Sequence, residues 1–251
     1  MNRFVFAIHR GGSSVLGGIA KNCALAAAEP AVVLGGGSNA FAETGRDGAA
    51  VRRPGGSPAD GFAPQIANWQ RHAGVFAPIR RADFFPAAFF RPGDRAVLNM
   101  RDPRDCMVSG YFGFLRLHNR GLANERRAAM YERGIDEYVL DDLLERYALA
   151  LDNYIALLAA VPAIARLTYE DMVTNFAPWF ARFCDALAFE RDVYERLVDR
   201  QAAKFEPPAG EDIDRHKRQM LPGDYRRKLA PATIDRINTR LERQLAYFGY
   251  L

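Results

Sequence analysis

The residues best suited to chemistry are His9-Arg10-Gly11-Gly12-Ser13-Ser14, set between a strand-like run, Phe4-Val5-Phe6-Ala7-Ile8, and an apolar helix-like stretch. Glycines let the backbone turn tightly with its N–H groups pointing inward. The following helix presents its positive end, and Arg10, Ser13 and Ser14 add further donors. A multiply charged phosphate is the natural guest of such a junction. The same residues also read as an ordinary tight turn that caps a helix. An ATP- or GTP-binding loop with magnesium wants Gly-x-x-x-x-Gly-Lys-Ser/Thr, and the chain contains no such string.

A second segment narrows the choice. Ala96-Val97-Leu98-Asn99-Met100 reads as another buried strand, and it runs into Arg101-Asp102-Pro103-Arg104-Asp105-Cys106-Met107-Val108-Ser109. Proline near the start of a helix leaves Arg101 at the strand's carboxyl end and Ser109 about two helical turns onward. Open α/β sheets bind ligands at those strand ends.

Together these segments resemble the sulfotransferases that use 3′-phosphoadenosine 5′-phosphosulfate (PAPS). Residues 9–14 resemble the family's phosphosulfate loop, with Arg10 at its basic position, Gly11 and Gly12 at the turn, and Ser13 and Ser14 at its hydroxyl positions. Arg101 and Ser109 resemble its 3′-phosphate pair, and Asp102-Pro103-Arg104-Asp105 the letters between them. Leu167-Thr168-Tyr169-Glu170-Asp171-Met172 is similar to the strand end whose Tyr lies against adenine. Arg218-Gln219-Met220-Leu221-Pro222-Gly223-Asp224-Tyr225 is similar to the late loop that closes on the 3′-phosphate. Arg218, Gly223 and Asp224 match there, whereas Gln219, Met220 and Tyr225 depart.

The resemblance implies an α/β fold of P-loop NTPase-like type, with three αβα layers around a central parallel sheet. It also implies sulfuryl transfer from PAPS to an acceptor hydroxyl or amine, with adenosine 3′,5′-bisphosphate (PAP) as product and no metal. By analogy with phosphoryl transfer, the reaction gains from in-line positioning and from positive charge on the transferred group's oxygens. Arg10 is the candidate for that charge and Ser14 a helper; alternatively Arg10 only tethers the bound donor.

The acceptor must lose a proton, so a base is wanted within hydrogen-bond reach. The family's cytosolic branch uses a His in Lys-x-His, but the corresponding Val75-Phe76-Ala77-Pro78-Ile79-Arg80-Arg81 has none. Other branches use a Glu beyond the first helix, which makes Glu43 a candidate and Glu29 a weaker one. His72 is a further candidate, though a lone helical His is more often a surface or core residue. His9 suits phosphate donation better than proton abstraction, His118 would serve only if the end of its helix folds over the site, and His216 belongs to a basic run.

The elements that must position these groups alternate between strand-like and helix-like patches, the pattern of a parallel sheet covered on both faces. Helices are expected over 15–28, 103–115, 135–160, 176–187 and 231–250, and strands over 4–8, 31–34, 96–100 and 163–168. In the last helix Ile234, Ile237, Leu241, Leu245 and Phe248 form a core stripe. Residues 35–61 are rich in Gly, Pro, Ser and charge, and are expected to form a mobile loop near the acceptor site.

The chain has 251 residues, 49% hydrophobic and 25% charged, enough for one large core in a single domain spanning residues 1–251. A net charge of +4 favours an anionic ligand. Its basic residues are scattered without interleaved aromatic platforms, which argues against nucleic acid.

Cys23, Cys106 and Cys184 read as buried free thiols of a reducing compartment. With no signal-peptide core and no stretch long enough to span a bilayer, a cytoplasmic location is expected. The acceptor is a small molecule, or a glycan or lipid approached by Arg46, Arg52, Arg53, Arg80 and Arg81. Phe84-Phe85 and Phe89-Phe90 form either an apolar acceptor wall or core. The rival readings are a P-loop-like nucleotide kinase and a non-catalytic nucleotide-binding module.

Overall fold

The computed structural model describes residues 1–34, 41–44, 50–52, 73–82, 85, 87–116, 124–205 and 220–251. The backbone clusters into two compact units, Met1–Met100 with Ala156–Lys204, and Arg101–Ile155 with Phe205–Leu251.

The first unit is built on a seven-stranded sheet: β1 (Arg3–Ala7), β2 (Ala31–Leu34), β3 (Phe41–Thr44), β4 (Ala50–Arg52), β5 (Val75–Ile79), β6 (Arg95–Met100) and β7 (Ala165–Thr168), in the order β4-β3-β2-β5-β1-β6-β7. Pairing is parallel from β2 through β7 and antiparallel for β2 with β3 and β3 with β4. From β1 the chain goes to one side of the sheet and returns through β5. It then crosses to β6 and β7 on the other side. The order therefore reverses at β1 and β6, whose ends pair at Ala7 and Asn99, the kind of crevice where α/β sheets bind ligands.

β5 was not anticipated as a strand. Its apolar residues, like those of β1, are all buried, the pattern of a strand covered on both faces. Within 35–61, two short strands extend the sheet beyond β2 and supply the ladder partners its outer edge would otherwise lack. The remainder of that range lies outside the described residues.

Residues i and i+2 of β1 set the core. Phe4 and Phe6 meet Phe85 edge-on at centroid distances of 4.7 and 5.2 Å, and Phe90 adds to the same cluster. Phe85 is therefore core packing, while Phe89 and Phe90 are half-buried at the edge of the same cluster. Phe84 lies outside the described residues.

Among the described residues, the α-helices α1 (Ser13–Ala26), α5 (Tyr169–Thr174), α6 (Phe176–Ala186) and α7 (Arg191–Ala202) belong wholly to this unit. Helix α1 comes so close to β5 that a Cβ on Gly17 would stand 2.8 Å from Pro78 Cδ. Trp179 of α6 donates its indole N–H to Asn99 Oδ1 of β6 at 3.1 Å. Buried Cys23 of α1 and Cys184 of α6 share a thiol hydrogen bond, which together with burial pushes the Cys23 thiol far up.

The second unit holds α2 (Pro103–Arg116), α3 (Asn124–Tyr138), most of α4 (Leu144–Ala160), α8 (Tyr225–Lys228), α9 (Pro231–Arg240) and α10 (Glu242–Phe248). The helix expected over 135–160 is interrupted by a π-helical turn at Val139–Leu143. The one expected over 231–250 breaks at Leu241, whose φ of −106° and ψ of 13° leave the helical region. The stripe still packs inward, with Ile237, Leu241 and Leu245 fully buried.

Candidate active site

The loop after β1 turns because Gly11 N donates to Ile8 O at 2.9 Å. Arg10, at the third position of that turn, takes φ +65°, a left-handed conformation that costs an ordinary residue energy and is retained where the surroundings enforce it. Gly12 follows at φ +78°, and a Cβ there would lie 2.9 Å from Met172 Cε and 3.0 Å from the Tyr169 ring. Only glycine satisfies both the angle and the space.

Helix α1 begins immediately afterwards, and its first intrahelical bond runs from Leu16 N to Gly12 O at 3.0 Å. No side chain caps it and no acidic residue occupies its first turn. The amides of Ser13, Ser14 and Val15 thus lack intrahelical acceptors, and the positive end of the helix dipole is uncompensated.

Arg80, just past β5, donates from Nε to Ser13 Oγ at 2.8 Å. Sequence reasoning placed Arg80 at an acceptor opening; in the fold it belongs to the cradle. The usable signal was its position at a strand end, which became visible only once β5 was recognised. Ser13 is buried, Ser14 exposed and Arg10 half-buried. A backbone that admits no Cβ, a bare helix N-terminus and two guanidinium side chains on the loop and its neighbour suit an anion carrying several negative oxygens.

Tyr169, the first residue of α5, is buried with its ring beside Gly12. The chain turns from β7 into α5 because Thr168 caps it, its Oγ1 accepting from Asp171 N at 3.1 Å.

In the second unit, Asp102 caps α2 by accepting from Arg104 N at 2.9 Å. The Arg104 guanidinium is fully engaged, bidentate on Asp102 and bonded to Asn238 Oδ1 and Tyr250 O at 2.8 Å each. It also stacks 4.4 Å above the Tyr225 ring. Arg104 is therefore a structural tie, and Tyr225 serves as the aromatic surface beneath it.

Arg101, Asp105 and Ser109 follow one another at four-residue spacing, which puts Asp105 and Ser109 on one face of α2. Arg101 is buried, with Nη2 3.8 Å from Asp105 Oδ2, and Ser109 is half-buried. Asp105 is wholly buried and accepts from Gly223 N at 2.8 Å and Tyr225 N at 3.0 Å. Burial pushes its carboxyl above the ordinary range, against the pull of Arg101 and the two amides.

Glu43 lies on β3, its backbone opposite Val32 and Val51. Glu29 forms an ion pair with Arg3. Arg3 starts β1, roughly 13 Å of strand before Ala7 and at the end opposite the cradle, so the ion pair holds Glu29 away from the cradle. His72, His118, His216 and Arg218 lie outside the described residues.

The profile of the sulfotransferase domain family matches residues 78–249. The chain belongs to the sulfotransferase family. Its reaction class is thereby PAPS-dependent sulfuryl transfer. The profile begins at Pro78, beyond the cradle, but the likeness to solved structures runs the length of the chain.

The mouse sulfotransferase SULT7A1 complexed with PAP covers 98% of this sulfotransferase and is itself covered to 84%, at 12% identity and a TM-score of 0.59. Retinol dehydratase in complex with androsterone and inactive cofactor PAP covers 97% and is covered to 80%, at 15% identity and a TM-score of 0.55. Retinol dehydratase with retinol and PAP gives 97% and 81%, at 16% identity and a TM-score of 0.50. At such identities the likeness is one of fold, and it bears out the expected P-loop-like α/β class with a central parallel sheet flanked by helices. No curated protein sequence matches the chain. Among the described residues no helix is long and apolar enough to cross a membrane.

Proposed function

We propose that this sulfotransferase binds PAPS through the cradle after β1 and through Arg101 and Ser109, and passes the sulfuryl group to a hydroxyl of a small-molecule acceptor. The observation that carries this reading is the cradle itself, with its uncapped α1 terminus, left-handed Gly12 and the Arg80 to Ser13 hydrogen bond. PAPS supplies the activated sulfuryl group. The amides of Ser13 and Ser14 with Arg10 hold the phosphosulfate oxygens, and Arg80 fixes the Ser13 hydroxyl among them. Tyr169 offers its ring to the adenine. Arg101, Ser109 and Arg218 take the 3′-phosphate.

Removal of the acceptor proton is assigned to Glu43, with His72 the second candidate. A Glu43→Gln variant with a turnover number at least tenfold below wild type at saturating PAPS supports Glu43; loss in His72→Ala instead transfers the role. The structures with androsterone and with retinol support a small apolar alcohol as acceptor over a glycan. A panel of sterol, phenol and oligosaccharide acceptors separates them. The three buried free cysteines support a reducing, cytoplasmic location.

The experiment that tests the nucleotide assignment is calorimetric titration with PAP beside adenosine 5′-monophosphate and ATP with magnesium. Tight binding that requires the 3′-phosphate supports the assignment. Preference for ATP with magnesium, or binding of none of the three, overturns it.

A further inference from the structure

We propose that Asp105 is a positioning residue that joins the late loop to the 3′-phosphate side chains of α2, so that recognition of the 3′-phosphate depends on one buried carboxylate that never touches the nucleotide. The inference rests on the nucleotide assignment above and deepens it.

Asp105 stands one helical turn after Arg101 and one before Ser109. Its two oxygens are divided between partners. Oδ2 accepts from Gly223 N at 2.8 Å and lies 3.8 Å from Arg101 Nη2, while Oδ1 accepts from Tyr225 N at 3.0 Å. Gly223 and Tyr225 belong to the segment that follows Arg218, and Gly223 takes φ +83°, which turns the chain there. A single carboxylate thus faces the guanidinium that would grip the 3′-phosphate and the backbone of the loop that would close on it.

A carboxylate with no exposed surface is retained only where donors replace its water. Its two bonds to the backbone amides, at 2.8 and 3.0 Å, are of the charge-assisted kind, stronger than those between neutral groups. The surrounding tie reinforces the seat, because Arg104 presses on the Tyr225 ring at 4.4 Å while held by Asp102. Tyr225 stands where the resemblance expects Trp, and it still offers an aromatic face to the guanidinium. Movement of the loop away from α2 would leave the Asp105 charge without its amide donors, and movement of Arg101 would leave it without its nearest cation. Arg101 and the loop backbone at Gly223 and Tyr225 are thereby held in the geometry that suits each other.

Hydrogen exchange on the wild-type protein tests this without a folding risk. PAP should slow exchange of the Gly223, Asp224 and Tyr225 amides at least tenfold, whereas adenosine 5′-monophosphate should leave them nearly unchanged. Equal protection by both nucleotides, or none by PAP while PAP binds, overturns the inference and leaves the nucleotide assignment standing. A wild-type protein that does not distinguish PAP from adenosine 5′-monophosphate overturns both.

Titration of Asp105→Asn gives an independent readout, with its folded state checked by thermal melting. Affinity for PAP should fall at least tenfold, and affinity for adenosine 5′-monophosphate should change by less than twofold. Adding Asp105→Asn to Arg101→Ala should cost little beyond Arg101→Ala alone, because both act on one grip. A parallel loss for both nucleotides, or fully additive losses in the double variant, would mark Asp105 as merely structural.

Discussion

Arg80 Nε donates to Ser13 Oγ at 2.8 Å, joining the end of β5 to the first residue of α1. A hydrogen bond from a charged donor contributes roughly 1.5–3 kcal/mol, and the same guanidinium adds positive charge to the cradle. Arg80→Ala should therefore raise the Michaelis constant for PAPS by about tenfold or more. Arg80→Lys, which keeps charge but lacks the planar fork, should recover only part of the loss. Initial-rate kinetics at varied PAPS decide it; an unchanged Michaelis constant in Arg80→Ala would place the residue outside the donor site.

Arg10 sits half-buried in the turn with a left-handed backbone. If it stabilises charge on the transferring group, Arg10→Ala lowers turnover at saturating PAPS by about a hundredfold. If it only tethers the donor, turnover holds and the Michaelis constant rises. Steady-state kinetics with excess acceptor distinguish the two.

Gly12 combines φ +78° with a wall of Met172 and Tyr169 around the missing Cβ. Gly12→Ala should lose about 1–3 kcal/mol of stability from the backbone alone, with a further loss from displacing Tyr169. Urea denaturation measures it. A change within about 0.5 kcal/mol would mean that the cradle relaxes freely.

Burial holds the Asp105 carboxyl above its ordinary range, and Arg101 with the Tyr225 and Gly223 amides only partly offsets this. A carboxyl whose folded value is raised contributes stability that is complete below the unfolded value near ~4 and is lost as pH rises through the folded value. The unfolding free energy of wild type minus that of Asp105→Asn should therefore fall as pH is raised from about 4 to about 7. Urea titrations across that interval check the sign; a difference that grows with pH contradicts it.

Cys23, Cys106 and Cys184 are all buried, and Cys23 is held protonated by its hydrogen bond with Cys184 and by burial. An aromatic disulfide reagent should label none of them in the native protein and all three after unfolding. Rapid native labelling of any one would show that its helix opens locally.

The core strands and the long helices were legible because their signals are local. Phe4 to Ala7 and Ala96 to Met100 are apolar runs ending at chemistry-bearing loops, and Pro103 marks a helix start. β5 was not legible. Val75-Phe76-Ala77-Pro78-Ile79 is short and carries a proline, and its pairing on both sides comes from β1 and β2, which are distant in sequence. The strands at 41–44 and 50–52 were hidden for the same reason, since a three- or four-residue ladder depends on the neighbour it extends. Glu29 looked available as a base until Arg3 was found beside it.

By itself the sequence determined the family, the glycine turn of residues 9–14 between strand and helix and the spacing of Arg101 and Ser109, because a glycine turn, a proline helix start and a helical repeat act within a few residues. Only the tertiary structure decided that Arg80 belongs to the cradle, that Arg104 is spent on Asp102 and the chain's end, and that Asp105 seats the loop at Gly223 and Tyr225. Those partners lie 67, 146, 118 and 120 residues apart along the chain for the four long-range contacts involved. A hydrogen bond acts over about 3 Å, so residues so distant in sequence acquire their roles only when folding brings them together.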